Sequence, residues 1–279
     1  MLSGHDCVMG MVRLISLDDE EDFDLAAGEE MEGLAWAQIE SGARIVWSHD
    51  DQPMRALAPR SKRRIGRYNS IKAGRLLAHE SRGSGYVGGE KLALMLCEID
   101  PDVADLRTQH LRFDLLIDGS AHSYVPDIVR LMADGTIQVI EVKKDGSWQR
   151  DAFYAEKIRC VREVCAQVGV PFAVWTEKMV APNLTTKRNI VTTQEARTVE
   201  YDDVHQLLVV RALKAGGGAA PLGALKAVLA DHGPHTAEAM IRGMMCRRVL
   251  MLPLCASIND DTLVTIYTGP PPAPLTLAA

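Results

Sequence analysis

Two apolar runs, 123–132 and 136–143, joined by Ala133-Asp134-Gly135, constrain this 279-residue chain more than any other feature. Asp-Gly between two such runs is a good hairpin signal. Side chains alternate faces along a strand, so Glu141 and Lys143 share one face while Val142 takes the other. If the hairpin turns about Asp134-Gly135, residues whose numbers sum to roughly 269 lie opposite one another. Asp127 then pairs near Val142, beside both Glu141 and Lys143. Two carboxylates and an ammonium converge on one point.

Hydrolysis of a phosphodiester needs such a cluster. The backbone phosphate repels hydroxide, and the leaving oxygen develops negative charge. Carboxylates at a strand end can hold Mg²⁺, which screens the phosphate and lowers the pKa of a bound water. A lysine beside them can position that water and stabilise charge in the transition state. A third carboxylate from an adjoining helix would complete the ligand set, and Glu90 is the natural candidate. The bland alternative is a surface ion pair between Glu141 and Lys143, worth little in water.

Around the hairpin the pattern predicts a helix over 90–99 stopped by Asp100-Pro101, strands at 103–107 and 111–117, and a turn at Asp118-Gly119. A helix over 149–168 carries Ile158, Val161, Val164 and Val168 on one stripe, with Gly169 past its end, and 172–176 reads as a short buried strand. The result is a mixed α/β sheet flanked by helices. The glycine-rich loop at 81–89 lacks the terminal Gly-Lys-Ser/Thr of a phosphate-cradling loop and reads as flexible. Residues 1–50 form an acidic segment with a poorly ordered start, a helix around 31–39 and a strand at 43–47. The polar stretch 183–201 reads as a linker. Beyond it, helices over 205–214, 222–231 and 235–248, with hairpin strands at 249–252 and 262–267, give 202–268 a winged-helix-like pattern. The third helix carries Arg242, Arg247 and Arg248, which suits either a recognition helix or one that only packs, and residues 269–279 read as a disordered tail.

The formal net charge of −6 argues against a nucleic-acid binder when taken alone, but charge is strongly segregated. Between Asp18 and Glu32 lie nine acidic residues and no basic one; between Gln52 and Ala78 lie Arg55, Arg60, Lys62, Arg63, Arg64, Arg67, Lys72 and Arg75 and no acid. So dense a basic run suffers self-repulsion without a polyanion beside it, which favours a phosphate-contacting arm over a solvated linker. Six cysteines form no CxxC pair or zinc-spaced cluster, which points to reduced, mostly buried thiols in a cytoplasmic protein. The scattered histidines argue against a histidine-based metal site. No apolar run nears the roughly 20 residues that span a bilayer, and no signal peptide is visible, so no membrane is implicated.

The residues also carry a resemblance. Gly66-Arg67-Tyr68-Asn69-Ser70, Gly74-Arg75-Leu76-Leu77-Ala78-His79-Glu80-Ser81, the run from Glu90 through Asp100-Pro101-Asp102-Val103 to Gln109, Tyr124-Val125-Pro126-Asp127, Glu141-Val142-Lys143, and Ala155-Glu156-Lys157 through Val174-Trp175-Thr176-Glu177-Lys178 follow in order. Over about 64–180 the chain resembles the TnsA-type transposon endonucleases, a branch of the PD-(D/E)xK nuclease superfamily. The resemblance implies a restriction-endonuclease-like core over 51–182, including the basic lead-in arm, and a C-terminal winged-helix-like domain. It implies Glu90, Asp127, Glu141 and Lys143 as catalytic, with Glu90, Asp127, Glu141 and the Val142 carbonyl near Mg²⁺, for which Mn²⁺ would substitute. In the family the catalytic glutamate follows the Glu-Ser closely, whereas here the glycine-rich loop intervenes. Glu80 therefore stands as the alternative to Glu90. The arm residues Arg60, Lys62, Arg63, Arg64, Arg67, Lys72 and Arg75 would contact double-stranded DNA. The implied activity is cutting of DNA strands at mobile-element ends, with a transposase or an ATPase regulator subunit as partner. A dimer is compatible with this reading. The alternatives are a catalytically weak nuclease-derived DNA-binding or regulatory protein, and a phage DNA-processing nuclease.

Overall fold

In the computed structural model of the chain the described residues are 13–16, 43–48, 64–81 and 87–270. In chain order the elements are β1 (Arg13–Ser16), β2 (Ala43–Trp47), β3 (Arg64–Ser70), β4 (Arg75–Ser81), α1 (Gly89–Ile99), β5 (Val103–Thr108), β6 (Leu111–Ile117), β7 (Ser120–Tyr124), β8 (Ile128–Met132) and β9 (Ile137–Lys143). Then follow α2 (Ala152–Gln167), β10 (Phe172–Thr176), α3 (Glu177–Val180), α4 (Leu184–Glu195), α5 (Asp203–Ala215), β11 (Ala219–Pro221), α6 (Leu222–Ala227), α7 (Pro234–Cys246), β12 (Leu250–Met251) and β13 (Leu263–Ile266). The chain divides into two compact units: Met1–Lys62 with Arg107–Val129 and Ile137–Val174, and Arg63–Leu106 with Arg130–Thr136 and Trp175–Ala279. The expected helix at 31–39 and most of the acidic segment lie outside the described residues.

In the first unit one sheet has the order β1-β2-β6-β7. β2 runs parallel to β1 and antiparallel to β6, with Ile45 opposite Phe113. The expected strand at 43–47 is β2, and with 13–16 it pairs into this sheet rather than standing in a separate segment. β6 and β7 form a hairpin in which Phe113 faces Tyr124, turned by Asp118 and Gly119 at φ 50° and 72°. The sequence reading merged β7 and β8 into one strand over 123–132. Pro126 has no N–H to give a ladder, and the chain breaks there into two strands. β9 lies between β10 and β8.

α2 begins where Asp151 Oδ1 accepts from the Tyr154 N–H at 3.0 Å and ends before Gly169, whose φ of 71° suits glycine. Its stripe Ile158, Val161 and Val164 packs with Leu111, Phe113, Leu115, Ile117 and Val139 in one apolar cluster. Each such side chain stabilises the unit by roughly 1.5–3 kcal/mol relative to an exposed one.

In the second unit β3 and β4 form a two-stranded hairpin with Tyr68 opposite Leu77. Its turn is tied to α1 by the buried Glu98, which accepts from Ser70 Oγ at 2.6 Å and the Ile71 N–H at 2.9 Å. Part of the expected basic arm is therefore a folded hairpin. The residues 183–201, read as a linker, include α4, which buries Thr186, Asn189, Ile190, Thr193 and Gln194. Its polar side chains are satisfied internally: Asn189 Nδ2 donates to the Leu254 and Ala256 carbonyls at 2.9 and 2.7 Å. Polar burial of this kind has no apolar period, which is why the sequence pattern suggested a linker.

Farther on, α5, α6 and α7 pack around Leu213, Leu225, Ile241 and Met244, and β11, β13 and β12 form a three-stranded antiparallel sheet. α7 starts at Pro234 after Gly233, without a side-chain cap, one residue before the expected start at 235. The second half of β8 pairs with β5, and the Ala133 N–H donates to the Asp102 carbonyl at 2.7 Å. Among the described residues no helix is long and apolar enough to cross a membrane.

Candidate active site

The hairpin β8–β9 closes as its sequence predicts. The Met132 N–H donates to the Thr136 carbonyl at 2.8 Å, and Asp134 Oδ1 accepts from the Thr136 N–H at 2.8 Å. At the other end, freed from the ladder by Pro126, Asp127 turns a carboxylate oxygen onto the Val142 N–H at 2.7 Å. The expected pairing of Asp127 with Val142 is realised through a side chain.

Glu141 and Lys143 share a face of β9, and the Lys143 ammonium pairs with Glu141 Oε1. The Tyr154 hydroxyl donates to the same oxygen at 2.7 Å, and Lys143 Nζ lies 4.6 Å from the centroid of the Tyr154 ring. Asp127 and Glu141 are 8% and 3% exposed, too buried for an ordinary surface ion pair. Glu141 Oε2 and the Tyr124 hydroxyl are both buried, and among the described residues they have little besides each other: the hydroxyl lies against the Glu141 carboxylate. Burial works against the charge on Lys143, but the Glu141 carboxylate and hydrogen bonds to Glu141 and Tyr154 more than offset it, raising its pKa above that of an ordinary lysine. Burial first, and the Glu141 charge second, hold both Tyr124 and Tyr154 in the neutral form. Asp127, Glu141, Val142 and Lys143 are thus together in one unit, with two tyrosines around them.

Glu90 lies in the second unit. It sits in the first turn of α1, 9% exposed, where an acid suits the helix dipole. Its Oε2 accepts from the Glu80 N–H at 2.9 Å, so the two glutamates weighed against each other are neighbours. Among the described residues no three His, Cys, Asp or Glu side chains gather closely enough to hold a metal ion.

The basic residues divide. Arg60, Lys62 and Arg63 lie outside the described residues, as does the side chain of Arg64, while Arg67 is exposed on β3. Arg75 Nε donates to the Ala73 carbonyl at 2.7 Å. Lys72 departs from the expected DNA-contacting set, because its ammonium donates to the carbonyls of Cys97, at 3.2 Å, and Asp100. Burial lowers its pKa to about 8. The three arginines of the recognition-helix reading each have a neighbour. Arg242 binds Glu238 at 2.7 Å and Thr193 at 2.9 Å, Arg247 donates to the Val199 carbonyl, and Arg248 donates to the Pro101 carbonyl at 2.6 Å.

Residues 100–177 match the family model described as TnsA-like endonuclease N terminal. The resemblance read from the sequence holds over that stretch, which takes in Asp127, Glu141, Val142 and Lys143 and begins after Glu90. This part of the chain is similar to a nuclease domain of the TnsA type, set in a mixed α/β fold. No curated protein matches the chain.

The sequence reading missed Tyr124 and Tyr154. Tyr154 had a usable signal, since the residue three past a capping aspartate lies in the first helical turn after the lysine strand. Tyr124 had none before β7 was known to be a separate strand.

Proposed function

We propose that the chain is a divalent-metal-dependent DNA endonuclease of the TnsA type that cuts strands at mobile-element ends beside a transposase. The observation that carries the reading is that Asp127 binds the Val142 N–H while Glu141 and Lys143, either side of Val142, pair with each other, inside the segment similar to TnsA-like endonucleases.

The residues fit a hard cation. All donors are oxygens, and among the described residues the buried Glu141 Oε2 has at most the Tyr124 hydroxyl beside it. Two carboxylates suffice for Mg²⁺, which keeps several waters and is commonly held by one or two carboxylates. Asp127, Glu141 and the Val142 carbonyl would hold Mg²⁺ or Mn²⁺; Glu90 joins them on the strength of the sequence resemblance alone. When bound, such an ion screens the phosphate and lowers the pKa of a coordinated water. Lys143, held protonated by Glu141, supplies N–H donors and positive charge to the attacking water and the phosphate oxygens, and does not serve as the base. The exposed Arg67, with Arg60, Arg63 and Arg64, would contact phosphates without reading sequence. The three helices and three-stranded sheet after residue 202 support a winged-helix-like module, with Arg242 buried in it.

The reaction is tested by nicking of supercoiled plasmid with and without Mg²⁺. The wild type should nick only with the ion, and Asp127→Ala should not nick at all; cutting that survives in a clean Asp127→Ala preparation refutes the assignment. One observation favours a second reading, that of a non-cutting DNA-binding relative: Glu141 Oε1 is already held by both Lys143 and Tyr154. DNA binding without nicking under Mg²⁺ and Mn²⁺ would select it.

A further inference from the structure

Gln109 combines three features that no other described residue combines. It lies in the short connection between β5 and β6 and is 1% exposed. Its φ is 51°, in the left-handed region that residues other than glycine, asparagine and aspartate seldom enter. Its carboxamide oxygen is buried with no hydrogen-bond partner among the described residues. Buried acceptors are almost always satisfied, and backbone strain of this kind clusters at functional sites.

The backbone of Gln109 has a visible task. Its N–H donates to the carbonyl of Asp127 at 3.0 Å, fixing the residue that carries the central carboxylate. Glycine or asparagine would serve that task with less strain. What glutamine adds is a buried carboxamide with an acceptor waiting for a donor. Gln109 is one backbone hydrogen bond from Asp127, and a cation held by that residue would bring waters that it polarises into strong hydrogen-bond donors.

We propose that Gln109 is a positioning residue of the cation site. Its N–H fixes Asp127, and its Oε1 accepts from a water in the cation's shell. This assignment rests on the metal-dependent reading given above and extends it to a residue with no acidic group. Partners of this kind around a metal typically change affinity by roughly 10–100-fold when removed.

The test is calorimetric titration of Mg²⁺ into the full chain, with thermal unfolding alongside. Gln109→Met keeps the size and removes the acceptor. It should bind Mg²⁺ about tenfold more weakly than the wild type, with an unfolding midpoint that is not lowered, because an unpartnered buried acceptor has been removed. Gln109→Glu keeps an acceptor in place and should bind at least as tightly as the wild type. Equal affinity of wild type and Gln109→Met overturns the assignment while leaving the metal reading intact. So does a folded Gln109→Glu as weak as the expected Met variant, which also decides the matter should Gln109→Met fail to fold. A wild type that takes up no Mg²⁺ overturns both.

Discussion

The hairpin β8–β9 and the helix α7 both looked functional in the sequence, and they use their charges in opposite ways. The arginines at α7 each have a neighbour: Arg242 on the helix binds Glu238 and Thr193, and just past its end Arg247 and Arg248 donate to the Val199 and Pro101 carbonyls. On the hairpin and the segments around it, buried polar groups gather with few partners among the described residues: the Gln109 oxygen has none and the Tyr124 hydroxyl has only the Glu141 carboxylate, whereas beside α7 the Tyr201 hydroxyl alone is comparable. Charge on a helix face says little about binding until its partners are known. Unsatisfied polarity in a buried cluster says more, because folding alone gives no reason to keep it.

The contrast can be broken in order of expected effect. Lys143→Ala should lower Mg²⁺-dependent nicking by roughly 10²–10³-fold, the usual loss of one charge-stabilising donor. Lys143→Arg should fall nearly as far, since a guanidinium is planar and its charge spread. Near-normal rates in both would move the chemistry away from this hairpin. Arg242→Met, by comparison, should cost about 2 kcal/mol of stability, because it strips a partner from the part-exposed Glu238 and from Thr193, and leave DNA affinity unchanged. A loss of DNA binding without loss of stability would restore α7 as a recognition helix.

Smaller effects sharpen the same comparison. Neutralising Arg63, Arg64 and Arg67 together should weaken binding to all DNAs alike and reduce the salt slope by about 0.9 for each phosphate that is no longer neutralised. An unchanged slope would exclude these residues from the phosphate-binding set. Lys72 gives a stability signature instead. Its pKa falls from 10.5 to about 8 on folding, chiefly through burial. Between those values the unfolded chain holds a proton that the folded chain has released, so this group makes stability rise with pH. The wild type should gain on Lys72→Met between about pH 8 and 10.5 in chemical denaturation, and parallel curves would show that Lys72 does not titrate this way.

Much of this was legible in the sequence, and the omissions share a cause. β6 and β10 fall on their expected residues, and Asp127 meets Val142, because strand period and an Asp-Gly turn are local signals. α4 was hidden because its buried face is polar and satisfied by carbonyls distant in sequence. The strand pairing of 13–16 with 43–47 is nonlocal, and nothing in either segment announces its partner. Gln109 matched the family pattern, yet its strained backbone and orphaned oxygen exist only in the fold. Lys72 was misread because a basic run looks the same whether its ammonium groups face solvent or helix-end carbonyls.

The central claim is that the hairpin carboxylates hold the catalytic cation. The most direct measurement is anomalous scattering from Mn²⁺ in crystals of the full chain. The account predicts a peak about 2 Å from the Asp127 carboxylate and from Glu141 Oε2, lost in Asp127→Ala. A Mn²⁺ peak away from both carboxylates, or one that persists unchanged in Asp127→Ala, would contradict it.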